Sequence, residues 1–162
     1  ERRGGTTVGN PTPLYLARSR MLILLFCSNF GRFDERAIRR GKVPAAASRR
    51  VWISRSVNLG RNWSKPNELT SWVKRPPWTW YALGPGGAIR LRNGTLLVPA
   101  THASRPSKAA PGEFDHSHVL ASNDLGLTWH AGAPALVGTN EATIAELKDG
   151  RLLLNSRYLP KP

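Results

Sequence analysis

The feature that most constrains this chain is an apolar hairpin that occurs twice, 56 positions apart. Residues 91–97 read LRNGTLL, and residues 147–153 read LKDGRLL. In each copy Asn-Gly or Asp-Gly separates two apolar runs, and these residues tolerate the positive φ that hairpin turns need. Because no long stretch shows a helical period, the repeat predicts an all-β chain of similar antiparallel units.

A second repeated segment has the form of an Asp-box, Ser-x-Asp-x-Gly-x-Thr-Trp. Residues 122–129 read SNDLGLTW, and residues 56–63 read SVNLGRNW. The Asp carboxylate of such a box accepts backbone N–H bonds that fix a turn. Asn58 replaces this Asp in the earlier copy, and because Asn also forms Asx-turns, we expect that turn to survive with a weaker acceptor. Four-stranded units at this period are typical of β-propellers, and 162 residues hold only about three of them.

The strand pattern predicts elements and one register. Strands are expected near residues 14–17, 21–26, 51–56, 88–92, 95–98, 117–121, 143–147 and 151–156, and a helical turn near 35–40. If residues 148–150 form a three-residue loop with Gly150 left-handed, Glu141 lies opposite Arg157. A two-residue loop would place these side chains on opposite faces of the hairpin.

The net charge is unusual for a globular chain. Lys and Arg number 24 against 10 Asp and Glu, which gives +14, and residues 1–75 carry 16 of the basic residues against four acidic ones. This balance suggests an anionic partner, such as nucleic acid, a membrane surface or an acidic small molecule, or else a solvated basic face. We expect the N-terminal excess, including Arg39 and Arg40, to be mostly solvated. The longest apolar run, residues 21–27, favours a buried strand over a signal peptide or a membrane helix.

Longer segments resemble the exo-α-sialidases (neuraminidases). Residues 9–13 (GNPTP) are similar to the family's Asn-Pro-x-Pro segment, and residues 78–87 (WTWYALGPGG) to its Trp-Tyr-Ala-x-Gly-Pro-Gly segment. Residues 140–157 resemble the segment that carries a catalytic Glu and an active-site Arg. These segments follow the family's order over essentially the whole chain. The resemblance implies that residues 1–162 are part of a sialidase catalytic domain, about half of a six-bladed β-propeller.

The implied substrate is a terminal sialic acid on glycoproteins, gangliosides or oligosaccharides. The substrate's own carboxylate would repel a carboxylate nucleophile, and sialidases use a Tyr nucleophile. The resemblance assigns Glu141 as the base that activates this Tyr, and Arg157 as one of three Arg that bind the substrate carboxylate. Without the resemblance, a structural salt bridge between the two is the alternative. Glu35 resembles part of an acidic loop that reaches the pocket in some sialidases, and a solvated loop is the alternative.

Several family residues have no counterpart in this sequence: the early Arg, the Asp acid/base, the late Arg and the Tyr nucleophile. We therefore expect these 162 residues alone to be inactive. No cofactor or metal is expected, since His116 and His118 lack a third ligand at metal spacing and residues 84–87 lack the Gly-Lys-Ser/Thr ending of a phosphate loop. Trp78, Trp80 and Tyr81 either pack a blade or stack on sugar.

Two other functions remain open from the sequence. One is an Asp-box propeller that binds carbohydrate without catalysis. The other is a basic nucleic-acid-binding module, which the charge supports although no recognised binding fold is present. The family resemblance favours an extracellular, cell-envelope or lysosomal location, which the sequence itself leaves unknown.

Overall fold

The computed structural model describes residues 5–104 and 115–159. These residues form three antiparallel sheets and two short α-helices. The first sheet contains β1 (Thr6–Leu16), β2 (Met21–Phe30), β3 (Arg50–Ser56) and β4 (Asn67–Glu68). The second contains β5 (Trp78–Leu83), β6 (Ile89–Arg90), β7 (Leu96–Ser104), β8 (Asp115–Ser122) and β9 (His130–Ala131). The third contains β10 (Thr139–Glu146) and β11 (Leu152–Tyr158), and the helices are α1 (Glu35–Arg39) and α2 (Thr70–Val73).

In each sheet the strands lie side by side in nearly the order in which they follow along the chain. The strand order is β1-β2-β3-β4 in the first sheet, β5-β7-β8-β9 in the second, with β6 also on β7, and β10-β11 in the third. The segment after β5 lies beside β10, because the Gly84 carbonyl accepts from the Ala142 N–H at 3.2 Å and Gly86 N–H donates to the Ala142 carbonyl at 3.1 Å. Glycine is required at 86, since a Cβ there would lie 2.4 Å from the Cβ of Thr143. The second and third sheets are therefore joined through their first strands.

The two repeated hairpins have the same turn. In each, a backbone pair closes a three-residue loop: Leu91 N–H donates to the Thr95 carbonyl, and Leu147 N–H to the Arg151 carbonyl, both at 2.8 Å. The last loop residue is left-handed in both, with φ of 97° at Gly94 and 88° at Gly150. This confirms the predicted three-residue loop at 148–150.

Both Asp-boxes form their predicted turns. The Asp124 carboxylate accepts from the Thr128 N–H at 2.9 Å and from the Thr128 hydroxyl. These two bonds hold the pKa of Asp124 low, at about 2. In the earlier box the Asn58 amide oxygen accepts from the Asn62 N–H at 2.9 Å, so the turn survives with the weaker acceptor. Trp129 is buried beneath its turn, whereas Trp63 is 41% exposed.

The core lies between the sheets and includes a buried polar chain. Tyr81 is fully buried, its hydroxyl lies 2.7 Å from His118 Nε2, and His118 Nδ1 lies 3.2 Å from His102 Nδ1. The His102 ring stacks on Trp78 with 3.5 Å between centroids. Burial lowers the pKa of His102 to about 2 and that of His118 to about 4, so both rings are neutral. Trp78 and Tyr81 thus pack the blade.

The strand prediction is right for the eight expected strands and incomplete for the rest. It omits β5, whose six residues WTWYAL show no alternation because five of them are buried. It also omits β4 and β9, which are two-residue pairings, and it ends β7 before Pro99 although that strand continues to Ser104. The helical turn near 35–40 is confirmed as α1.

Candidate functional site

The candidate residues lie at one end of the sheets. Glu141 is near the start of β10, and Arg157 is near the end of β11. The start of β8 lies beside them, because Ser117 N–H donates to the Thr139 hydroxyl at 3.0 Å. The start of β5 is at this same end, since Trp78 pairs with the last residue of β7, Ser104. We call this end of the sheets the cleft end.

Glu141 and Arg157 form an ion pair. A terminal nitrogen of the Arg157 guanidinium lies 3.0 Å from Glu141 Oε2, and the two side chains are 51% and 49% exposed. The register agrees with the prediction, because Ala142 pairs with Ser156 and Thr143 with Asn155. The pairing shifts between Thr139 and Ala142, so a bulge covers Asn140 and Glu141. Bulges of this kind re-aim side chains at functional sites.

Asn140 is the residue that sequence reasoning missed. It is 4% exposed, and its amide oxygen accepts from Arg157 Nε at 2.9 Å and from the Glu141 N–H at 2.7 Å. The Asn140 carbonyl in turn accepts from the Ser117 hydroxyl. The buried side-chain amide of Asn140 therefore fixes the position of the Glu141 backbone N–H and the orientation of the Arg157 guanidinium. Its position next to the catalytic candidate was the only sequence signal for it.

Glu141 and Arg157 line an open cleft of about 380 Å³, together with neighbouring residues of β10 and β11 and the turn after β5. Its walls are Pro85, Glu141, Ala142, Thr143, Asn155, Ser156 and Arg157. A guanidinium held at Nε can present its planar fork to a carboxylate. A half-exposed carboxylate can accept a proton from a group that enters the cleft. The arrangement is suited to an acidic, hydroxylated ligand.

Glu35 lies on α1 and not in the wall of this cleft. Asp34 caps α1 by accepting from the Ala37 N–H at 2.7 Å, and the Glu35 carboxylate lies 2.7 Å from Arg39 Nε. Arg39 also pairs with Asp115 at the start of β8. The structure therefore brings Glu141 and Arg157 together and places Glu35 in a separate ion-pair network. The substrate-binding role of Glu35 stays a prediction.

Arg49 and Arg39 depart clearly from the expected solvated face. Arg49 is 4% exposed, donates to Asn29 Oδ1 at 2.7 Å and to the Tyr81 carbonyl at 3.0 Å, and also donates to Asn10 Oδ1. Burial lowers its pKa. The guanidinium carbons of Arg49 and Arg39 lie 4.5 and 5.6 Å from the centroid of the half-buried Trp80 ring. The expectation is thus wrong for these two residues, because their guanidiniums bond to groups of neighbouring strands.

Comparison with known proteins identifies relatives of this chain in sequence and in fold. A family profile described as a BNR repeat-like domain matches residues 1–161. An exo-alpha-sialidase of Aspergillus fumigatus is 30% identical over an alignment 162 positions long that covers 95% of this chain and 36% of that protein. The Hadza microbial sialidase Hz136 superposes with a TM-score of 0.80 at 30% identity, covering 94% of this chain and 29% of its own. A Trypanosoma rangeli sialidase in complex with sialic acid superposes with a TM-score of 0.72 at 22% identity, covering 97% and 26%.

These likenesses confirm the predicted fold class, an all-β chain forming part of a β-propeller. The chain spans about a third of the length of the Aspergillus protein. Among the residues that the structure describes, no helix has the length and apolar character needed to cross a membrane.

Proposed function

The chain belongs to the BNR repeat-like domain family, and on this basis we propose that residues 1–162 are part of the catalytic domain of an exo-α-sialidase. The predicted resemblance to that family is confirmed by the relatives. The proposed reaction releases terminal sialic acid from sialylated glycoproteins, gangliosides or oligosaccharides. The ion pair of Glu141 and Arg157, held by Asn140 in an open cleft, is the observation that carries the proposal.

Arg157 is proposed to bind the carboxylate of sialic acid. The Nε of Arg157 donates to Asn140, and one terminal nitrogen pairs with Glu141. The other terminal nitrogen makes no hydrogen bond within residues 5–104 and 115–159. A fixed guanidinium loses less side-chain entropy when it binds a ligand than a free one does. The substrate carboxylate would share the guanidinium with Glu141, so binding need not break the pair.

Glu141 is proposed to accept the proton of the Tyr nucleophile that sialidases use. A phenol has an ordinary pKa near 10, so its attack at neutral pH needs a base within hydrogen-bond reach. The Glu141 side chain is half-exposed in the cleft, so a phenol that enters the cleft can reach its carboxylate. Glu35 is retained as a proposed contact for the rest of the substrate, because α1 follows β2 at the cleft end.

The test is the release of 4-methylumbelliferone from its α-sialoside by the protein that contains this chain. Glu141→Gln should lower kcat strongly with a small change in KM, because it removes a base and keeps the hydrogen-bonding shape. Arg157→Lys should raise KM and lower kcat together, because a point charge replaces a fork.

Arg151→Lys is the matched control. Arg151 is exposed in the far turn and pairs with Asp149, so both kinetic constants should stay at wild-type values. Wild-type turnover in the folded Glu141→Gln variant would overturn the assignment of Glu141. No hydrolysis of any α-sialoside by the wild-type protein, combined with saturable binding of sialic acid, would favour a non-catalytic carbohydrate-binding propeller instead.

A further inference from the structure

Both Asp-box turns carry an exposed leucine at a backbone position that disfavours it. Leu59 and Leu125 have φ of 59° and 60°, in the left-handed region where Gly, Asn and Asp are the usual occupants. Their side chains are 57% and 50% exposed, so packing in the core does not account for them. The same unfavourable choice at the same position of two turns calls for a function of the apolar side chain.

The two turns form one surface. Arg55, which precedes the first box, donates to the Gly126 carbonyl in the second. Gly126 also lies against β2, since a Cβ there would be 3.0 Å from the Cδ1 of Ile23. Val57 and Leu127 flank the leucines and are 78% and 67% exposed. Four exposed aliphatic side chains therefore lie on two adjoining turns.

Basic side chains adjoin these turns. The turn between β1 and β2 holds Arg18 and Arg20, and the first box holds Arg61, all exposed. The start of β2 is next to this box, because a Cβ on Gly60 would lie 3.6 Å from the Cδ1 of Leu22. Within the described residues, none of the three arginines has a carboxylate within 4.0 Å. We call residues 18–20, 57–61 and 124–127 the tip face.

The tip face is at the opposite end of the sheets from the cleft. β8 begins with Asp115 beside the cleft end and runs to Ser122, where the second box begins. Eight extended residues span about 23 Å. A partner on the tip face would therefore leave the cleft open to substrate.

We propose that the tip face docks on a lipid bilayer that contains anionic phospholipids. The aliphatic side chains of Val57, Leu59, Leu125 and Leu127 enter the headgroup region, and Arg18, Arg20 and Arg61 bind headgroup phosphates. Protruding apolar side chains ringed by cations are the features that bind peripheral proteins to such surfaces. The positive charge without partners selects the anionic bilayer over a neutral one. This docking is independent of the proposed catalysis, because it uses no cleft residue.

The test is co-sedimentation of the protein with phosphatidylcholine vesicles, with and without phosphatidylserine. Wild-type protein should bind the phosphatidylserine vesicles more tightly, and the difference should fall as salt is raised. The double variant Leu59→Asn, Leu125→Asn should bind about tenfold more weakly. It should keep or raise its melting temperature, because Asn tolerates the left-handed region. Thermal melts therefore separate lost binding from lost folding.

Leu136→Asn is the matched control, since Leu136 is 78% exposed and its segment lies beside the start of β8 at the cleft end. This variant should bind vesicles as the wild type does. Equal binding of wild-type protein to both vesicle types, or undiminished binding by the folded double variant, would overturn the proposal. Sialidase assays on the same samples would report on the proposed function separately.

Discussion

Asn140 offers the most direct test of how this cleft is held. Asn140→Ala removes one buried oxygen that accepts two hydrogen bonds, at 2.9 Å from Arg157 Nε and 2.7 Å from the Glu141 N–H. Water can reach the half-exposed Arg157, so the loss in unfolding free energy is about 1–2 kcal/mol rather than the full cost of two buried bonds. For a chain of this size that lowers Tm by about 5 °C. The freed guanidinium should weaken binding of an anionic ligand about tenfold, which is ~1.4 kcal/mol.

The assay compares KM for the α-sialoside with the solvent exchange of the Arg157 Nε proton, followed by NMR. A positioning role predicts that Asn140→Ala raises KM and speeds this exchange together. Asn140→Asp keeps the acceptor and adds a carboxylate beside Arg157, so it should restore Tm and slow exchange but still bind the anionic substrate poorly. Asn123→Ala, in an exposed Asp-box turn, controls for loss of an amide elsewhere. A wild-type KM in Asn140→Ala, despite a lower Tm, would refute the positioning role.

Three further predictions concern the fold. The free energy of unfolding should fall below pH 6.5, because the unfolded histidines take up protons there while His102 and His118, with pKa of about 2 and 4, stay neutral when folded. The loss is roughly 1.4 kcal/mol per pH unit for each histidine down to its folded pKa, measured by urea titration, and a flat profile would contradict it. Asp124→Ala should lower Tm more than Asp124→Asn, since Asn still forms the turn in the other box; equal Tm values would count against this. Gly86→Ala should cost about 3 kcal/mol in a urea titration, because its Cβ would meet Thr143, and an unchanged midpoint would show that the strands can separate.

The repeated parts of the fold could be predicted because local chemistry determines them. A left-handed Gly at the end of a three-residue loop determines the hairpin register, and Gly94 and Gly150 supply it in both copies. Where Gly150 ends a three-residue loop, as it does here, Glu141 is placed opposite Arg157. By contrast, β5 has no readable period, because a strand buried on both faces needs no polar residue.

The parts of the site that could not be predicted depend on contacts between distant segments. Asn140 acts through Arg157, which is 17 positions away in the sequence. The bulge that contains Asn140 leaves no pattern in the sequence. Arg39 and Arg49 read as part of a basic run, yet their partners Asp115 and the Tyr81 carbonyl lie 76 and 32 positions away. Composition records that a charge is present but does not show what it contacts.

The basic residues that give the net charge of +14 therefore differ in their physical roles according to where they lie in the fold. Arg49 is buried and donates its hydrogen bonds to neutral acceptors, Asn10, Asn29 and a carbonyl, within the residues that the structure describes. Buried charge is screened by salt much less than exposed charge. The charge of Arg49 is therefore little affected by salt, whereas Arg18 and Arg20 are exposed about 20 Å away at the other end of the sheets. A change of ionic strength should consequently affect the exposed arginines of the tip face more than it affects buried Arg49.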